Sequence, residues 1–189
     1  MEHNEADTRL LQWLADIFWT TPRRPLIEAF DPAWRRLDWQ SALGGQGSGV
    51  CADVARVIAG LDEAAYRAIA VDYTALFCGS RRDAPFPYES IYRSAQRLLM
   101  QDAAVLAKRL YAESGFVPDL SQSNEPADHI SLELRFVAFL WEEGRPAEAR
   151  AFLAEHLVPW LPTFAAEVRQ QADTEFFATV VGLLDSLER

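Results

Sequence analysis

Apolar residues recur at helical spacing through almost the whole chain, and nowhere do they alternate with polar ones at the two-residue period of a half-buried strand. Leu10, Leu11, Leu14, Ile17 and Phe18 form the first stripe, with Asp7-Thr8 as its expected cap and Thr20-Thr21-Pro22 as its stop. Further helices are predicted near residues 26–30, around Trp34, Leu37 and Ala42, and over 50–61. Another runs from a cap at Asp62 through Phe77, a helical turn falls at 88–92, and a long helix carries Leu98, Leu99, Ala103, Leu106 and Leu110 to Ser114-Gly115. Glu125-Pro126 is expected to open the next helix, because proline fits a first turn and Asp128 there would face the positive end of the helix dipole. Ile130, Leu132, Leu134, Phe136, Val137, Phe139 and Leu140 leave that helix little polar face, which predicts burial in the middle of a bundle. Glu142-Glu143-Gly144 stops it, Pro146 starts another, and the last two helices fall near 164–171 and 173–187. Residues 44–49 read as a flexible glycine-rich break, and 79–87 and 117–124 as loops. The chain shows no repeat and no low-complexity tract. The expected fold is all-α, one domain over residues 1–189, too irregular in helix length for a simple four-helix bundle.

A chain of 189 residues, half of them hydrophobic and 12% aromatic, can bury a substantial core. No stretch reaches the roughly 20 apolar residues of a membrane span. Met1-Glu2-His3-Asn4-Glu5 has neither the basic nor the apolar region of an export signal, so a cytoplasmic protein is expected. Cys51 and Cys78 then read as thiols rather than a disulfide. The net charge of −10 disfavours nucleic acid and anionic membranes. Residues 1–94 carry −3 and residues 95–189 carry −7, an imbalance that fits a cationic partner as well as plain solubility.

Few residues suggest catalysis. His3, His129 and His156 are the histidines of the sequence. Glu125, His129 and Glu133 are spaced i, i+4, i+8, yet no Glu-x-x-His pair accompanies them, so neither a di-iron centre nor another metal site is expected. Cys78 or Ser90 with His129 does not make a nucleophile elbow, and no lysine follows the glycines of 44–49, so they form no phosphate loop. No cofactor is expected. A small all-α enzyme using His129 and nearby carboxylates is the alternative to a binding protein. For binding, Tyr73 and Phe77 share one helix face with Leu76 beside them. Leu76 and Phe77 read as core before they read as contacts, whereas the Tyr73 hydroxyl predicts a wet edge. Pro85 and Pro87 stiffen the approach to Tyr88-Glu89-Ser90, and Asp128 beside His129 predicts a polar cluster at the start of a buried helix.

Three fragments in this order resemble one family. They are Tyr73-x-x-Leu76-Phe77-x-Gly79 with Pro87-Tyr88-Glu89-Ser90, then Glu125-Pro126-x-Asp128-His129, then His156-Leu157-x-Pro159-Trp160 with Phe164. Together they resemble the TorD/DmsD chaperones that mature redox enzymes. The resemblance implies a single TorD-like helical domain, monomeric or a domain-swapped homodimer, and no enzyme. It implies binding of the twin-arginine signal peptide and apo-form of a molybdenum-cofactor oxidoreductase, with cofactor insertion aided and export delayed. Related members serve redox enzymes that are not exported. The implied peptide-contact residues are Tyr73, Leu76, Phe77, Pro87, Tyr88, Glu89, Glu125, Asp128 and His129. Carboxylates such as Glu89, Glu125 and Asp128 would take the arginine forks, and the aromatic and leucine side chains the apolar stretch. Relatives often have proline after the loop glycine, where this chain has Ser80-Arg81-Arg82.

Overall fold

A computed structural model describes residues 5–31, 47–79, 81, 83–121, 124–185 and 187, and these are helical with no strand among them. In chain order the helices are α1 (Glu5–Trp19), α2 (Arg24–Glu28), α3 (Gly47–Ala59), α4 (Glu63–Phe77), α5 (Glu89–Arg93), α6 (Asp102–Ser114), α7 (Ile130–Glu142), α8 (Pro146–Phe152), α9 (Leu161–Gln171) and α10 (Glu175–Asp185). A π-helical turn, Leu153–Leu157, continues α8. The helix expected around Trp34, Leu37 and Ala42 lies outside the described residues.

Contacts divide the chain into two units, each made of two separated segments. The first holds residues up to Ala15 together with Pro87–Trp160; the second holds Asp16–Phe86 and Leu161 onward. In the second unit, α10 packs on α9 and α3. Its core is aromatic: Phe18, Tyr73, Phe77, Phe164 and Phe177 meet with ring centroids 5.3–6.2 Å apart. Asp62 caps α4 by accepting from the Ala65 N–H at 2.8 Å, as the sequence predicts. Buried Asp72 accepts from the Asp173 and Thr174 N–H groups and the Thr174 hydroxyl, so a side chain of α4 anchors the start of α10.

In the first unit, α7 packs against α8 and the π turn. Ile130, Leu132, Leu134, Phe136, Val137 and Leu140 are all buried, so α7 is the central helix its composition predicts. Tyr111, Phe116, Phe136 and Phe152 cluster around it with centroids 4.7–6.3 Å apart. Gly115 closes α6 in the left-handed region, φ 78°, which lets Phe116 N–H reach back to the Tyr111 carbonyl at 2.9 Å.

Four helix boundaries differ from the sequence reading. Asp7 and Thr8 lie inside α1 rather than before it. Residues 47–49 belong to the first turn of α3 rather than to a glycine break; packing of α3 on α10 overrides the low helix propensity of glycine. Leu98 and Leu99 precede α6, because Ser90 Oγ and Ser94 Oγ accept the Gln101 and Leu98 N–H groups and hold this stretch out of helix. The central helix begins at Ile130, not at Glu125-Pro126. Residues 125–129 instead run beside 87–89: Glu89 N–H donates to the Asp128 carbonyl at 3.0 Å and Ile130 N–H to the Pro87 carbonyl at 2.9 Å. This short antiparallel bridge between Tyr88 and His129 supplies by tertiary pairing the backbone bonds that a longer helix would have supplied locally.

Candidate functional site

The bridge fixes most of the first unit's predicted site residues. Asp128, fully buried, does not serve its own helix: its Oδ2 accepts from Ser90 N–H at 2.8 Å, so it caps α5. Burial pushes its pKa up, against the pull of the Ser90 hydrogen bonds. His129 is the N-cap of α7, its Nδ1 accepting from Ser131 N–H at 3.2 Å, so the imidazole is neutral with its proton on Nε2. Burial lowers its pKa to about 4; the Glu125 charge opposes that shift and Arg135 adds to it. Its ring meets Tyr88 edge-on at 4.9 Å. The Tyr88 hydroxyl donates to Glu125 Oε2 at 2.6 Å, and both of these side chains are half-buried rather than sealed.

Glu89 is fully buried, and its two oxygens are engaged by the chain itself. Arg93, one turn on, donates to Oε1 at 2.6 Å, and His156 Nδ1 lies 3.0 Å from Oε2. Arg93 also donates to the Glu155 carbonyl at 2.7 Å, tying α5 to the π turn. Desolvation would raise the Glu89 pKa, but His156, Glu133 and Arg93 outweigh it and hold the carboxyl below its ordinary range. Glu133, on α7, is the opposite case. Burial, then the Glu89 charge, then Asp128 push its pKa well up, and the Trp160 indole only partly offsets this. Glu133 therefore favours its protonated form, beside a Glu89 that favours its ionised one. Tyr111, pushed up by burial and by these same carboxylates, keeps its proton and donates to the Ala127 carbonyl at 2.8 Å.

Ligand atoms of Glu89, Glu133 and His156 lie within 4.8 Å of one another, a donor set able to hold a metal ion. It is not the Glu125, His129, Glu133 face considered from spacing, because Glu125 and His129 precede α7. Sequence reasoning missed the part played by Glu133 and Arg93. The available signals were a carboxylate set among Ile130, Leu132, Leu134, Phe136 and Val137, and Glu89 paired i, i+4 with Arg93.

Tyr73, Leu76 and Phe77 sit in the second unit, on α4, and all are buried. The wet edge expected for Tyr73 is absent: its hydroxyl is buried and donates to the Phe18 carbonyl at 3.2 Å. Pro87 is buried too. Arg81 donates to Asp173 at 2.6 Å and to the Gln171 carbonyl at 2.7 Å, so it is bonded within its own unit. Cys51 is buried and Cys78 exposed, both as thiols.

A family model described as the nitrate reductase delta subunit matches residues 45–166, well over half of the chain. The chain belongs to this family. Curated relatives bear the names the motifs suggested. The chaperone protein TorD of Actinobacillus succinogenes is 32% identical over 117 residues, covering 61% of this chain and 59% of its own. The TorD of Photobacterium profundum is 34% identical over 127 residues, covering 61% and 58%. The Tat proofreading chaperone DmsD of Salmonella typhi is 35% identical over 78 residues, covering 41% and 38%. The chain thus spans less than two thirds of the length of these relatives, which are named as chaperones and not as enzymes. The TorD/DmsD resemblance is that of this family. A crystal structure from Archaeoglobus fulgidus, described as a candidate redox enzyme maturation protein, matches all of this chain and 97% of its own with a TM-score of 0.61. At 22% identity it shows a shared fold, the TorD-like all-helical fold expected from the sequence. Among the described residues no helix is long and apolar enough to cross a membrane.

Proposed function

We propose that this chain is a cytoplasmic chaperone, not an enzyme, that binds the twin-arginine signal peptide and apo-form of a molybdenum-cofactor oxidoreductase, aids cofactor insertion and delays export. The observation that carries this reading is the family match over residues 45–166, with relatives named TorD and DmsD. The description of the family by a reductase subunit favours one second reading, a chaperone for a redox enzyme that is never exported.

Of the nine expected contact residues, Tyr88 and Glu125 are the ones we assign to the peptide, because they are half-buried while the rest are sealed. Glu125 offers an anionic edge oriented by the Tyr88 hydroxyl, and an arginine fork pairs with such a carboxylate better than a lysine does. Pro87, Glu89, Asp128 and His129 act beneath them by fixing the bridge. The apolar stretch of a signal peptide has exposed partners in the same unit: Leu98, Leu99, Met100, Val105 and Leu106. Calorimetry with a signal peptide tests this. The Arg-Arg form binds, the Lys-Lys form and the Glu125→Gln variant bind about tenfold more weakly, and the circular dichroism of the variant matches wild type. Equal affinity across all three would refute the assignment of Glu125.

A further inference from the structure

Two buried carboxylates and one imidazole converge from three elements of the first unit: Glu89 from α5, Glu133 from α7 and His156 from the π turn. Three facts distinguish them from an ordinary acidic cluster. Both oxygens of Glu133 are sealed from solvent and make no hydrogen bond of normal geometry among the described residues, with Glu89 and the Trp160 indole as their polar neighbours. Side-chain carboxylates seldom remain so without a proton or a cation. The cluster is also rich in acid: Glu89, Glu133 and Asp128 lie together with Arg93 bonded to Glu89, so once Glu133 gives up its proton the set would carry −2, the charge a divalent ion neutralises. Finally, His156 is carried by a π-helical turn, an element of poor hydrogen-bond economy that persists mostly where a side chain must be placed.

We propose that Glu89, Glu133 and His156 form a binding site for a borderline divalent transition metal, of the Zn²⁺ or Fe²⁺ class, that joins α5, α7 and the π turn. One imidazole nitrogen with two carboxylate oxygens suits those ions better than Mg²⁺ or Ca²⁺, which prefer oxygen alone. Three protein ligands leave a fourth position for water. Metal–ligand bonds near 2.1 Å set tetrahedral ligand atoms roughly 3.4 Å apart, and His156 Nδ1 and Glu89 Oε2 already lie 3.0 Å from each other. Arg93 on Glu89 and the Trp160 indole near Glu133 are placed to hold the ligating carboxylates in orientation. The ion takes the place of the Glu133 proton: the O–H bond breaks, the proton leaves to buffer, and the carboxylate coordinates. No electron is transferred.

The experiment is equilibrium dialysis of the full chain against Zn²⁺, beside Glu133→Gln and His156→Gln, with Co²⁺ as an absorbing substitute. Wild type takes up one zinc per chain and its Co²⁺ form shows visible ligand-field bands. Each variant binds zinc about a hundredfold more weakly, with unchanged circular dichroism. Glu133→Gln copies the shape of the protonated acid, so its fold is expected intact. Should either variant misfold, wild type alone decides: zinc binding releases at least one proton, read from the dependence of its heat on buffer ionisation. No stoichiometric uptake, equal uptake by Glu133→Gln, or uptake without proton release overturns the proposal, and leaves the two glutamates as a pair sharing one proton.

Discussion

Replacing His129 by asparagine separates its capping from its titration. The imidazole is 4% exposed, caps α7 through Nδ1, and has its pKa lowered by burial to about 4 from an ordinary value of 6.5. Between those two values the unfolded chain binds a proton that the folded chain does not, so stability falls as pH drops through this window. The contribution is fully present above pH 6.5 and exhausted below pH 4. The whole gap corresponds to about 3 kcal/mol, and the part between pH 7 and pH 5 to about 2 kcal/mol. For a chain of this size the latter is about 6 °C in Tm. Asparagine keeps an N-cap acceptor and cannot titrate. It loses the edge contact with Tyr88, a penalty that is the same at both pH values. Urea unfolding at pH 7 and pH 5 should therefore show wild type losing about 2 kcal/mol more than His129→Asn over that interval. Parallel losses in the two proteins would refute the neutral, buried imidazole.

Other outcomes follow from the same geometry. Glu133 has the reverse sign: the folded chain holds a proton that the unfolded chain releases above pH 4.5, so metal-free wild type loses ground to Glu133→Gln as pH rises from 5 to 8, measured by urea midpoints. A stability difference between the two proteins that stays constant from pH 5 to pH 8 would contradict a protonated Glu133. Asp72→Ala removes the acceptor of three hydrogen bonds at the start of α10 and should cost about 3 kcal/mol, with early hydrogen exchange at the Asp173 and Thr174 amides. Phe77→Ala empties the centre of the second unit's aromatic cluster and should cost about 4 kcal/mol. Unchanged stability with lost peptide binding would instead make Phe77 a contact residue.

What could be read from the sequence depended on whether a signal was local. The all-helical fold was legible because 3.6-residue periodicity, the Asp62 cap and the stops at Gly115 and Gly144 act within a few residues. The start of α7 was not legible. Glu125-Pro126 carries valid helix-start chemistry, but Asp128 and Ile130 find partners far along the chain, at Ser90 and Pro87. The site was half legible for the same reason. Asp128 and His129 announced a polar cluster, yet which helix Asp128 caps depends on a chain reversal that no local pattern encodes. Tyr73 was misread because a phenol hydroxyl can be satisfied inside a core by one carbonyl, here that of Phe18. Glu133 stood out only after most of α7 proved buried, when a fully buried carboxylate within it required an explanation.

The central claim is that this chain holds a redox enzyme before its cofactor is in place. Affinity capture of the tagged protein from its own host, grown without oxygen, with bound proteins identified by mass spectrometry and assayed for molybdenum, tests it directly. The account predicts recovery of a cofactor-free molybdoenzyme that still carries its Arg-Arg signal. Recovery of no redox enzyme, from cells shown to express one, would contradict it.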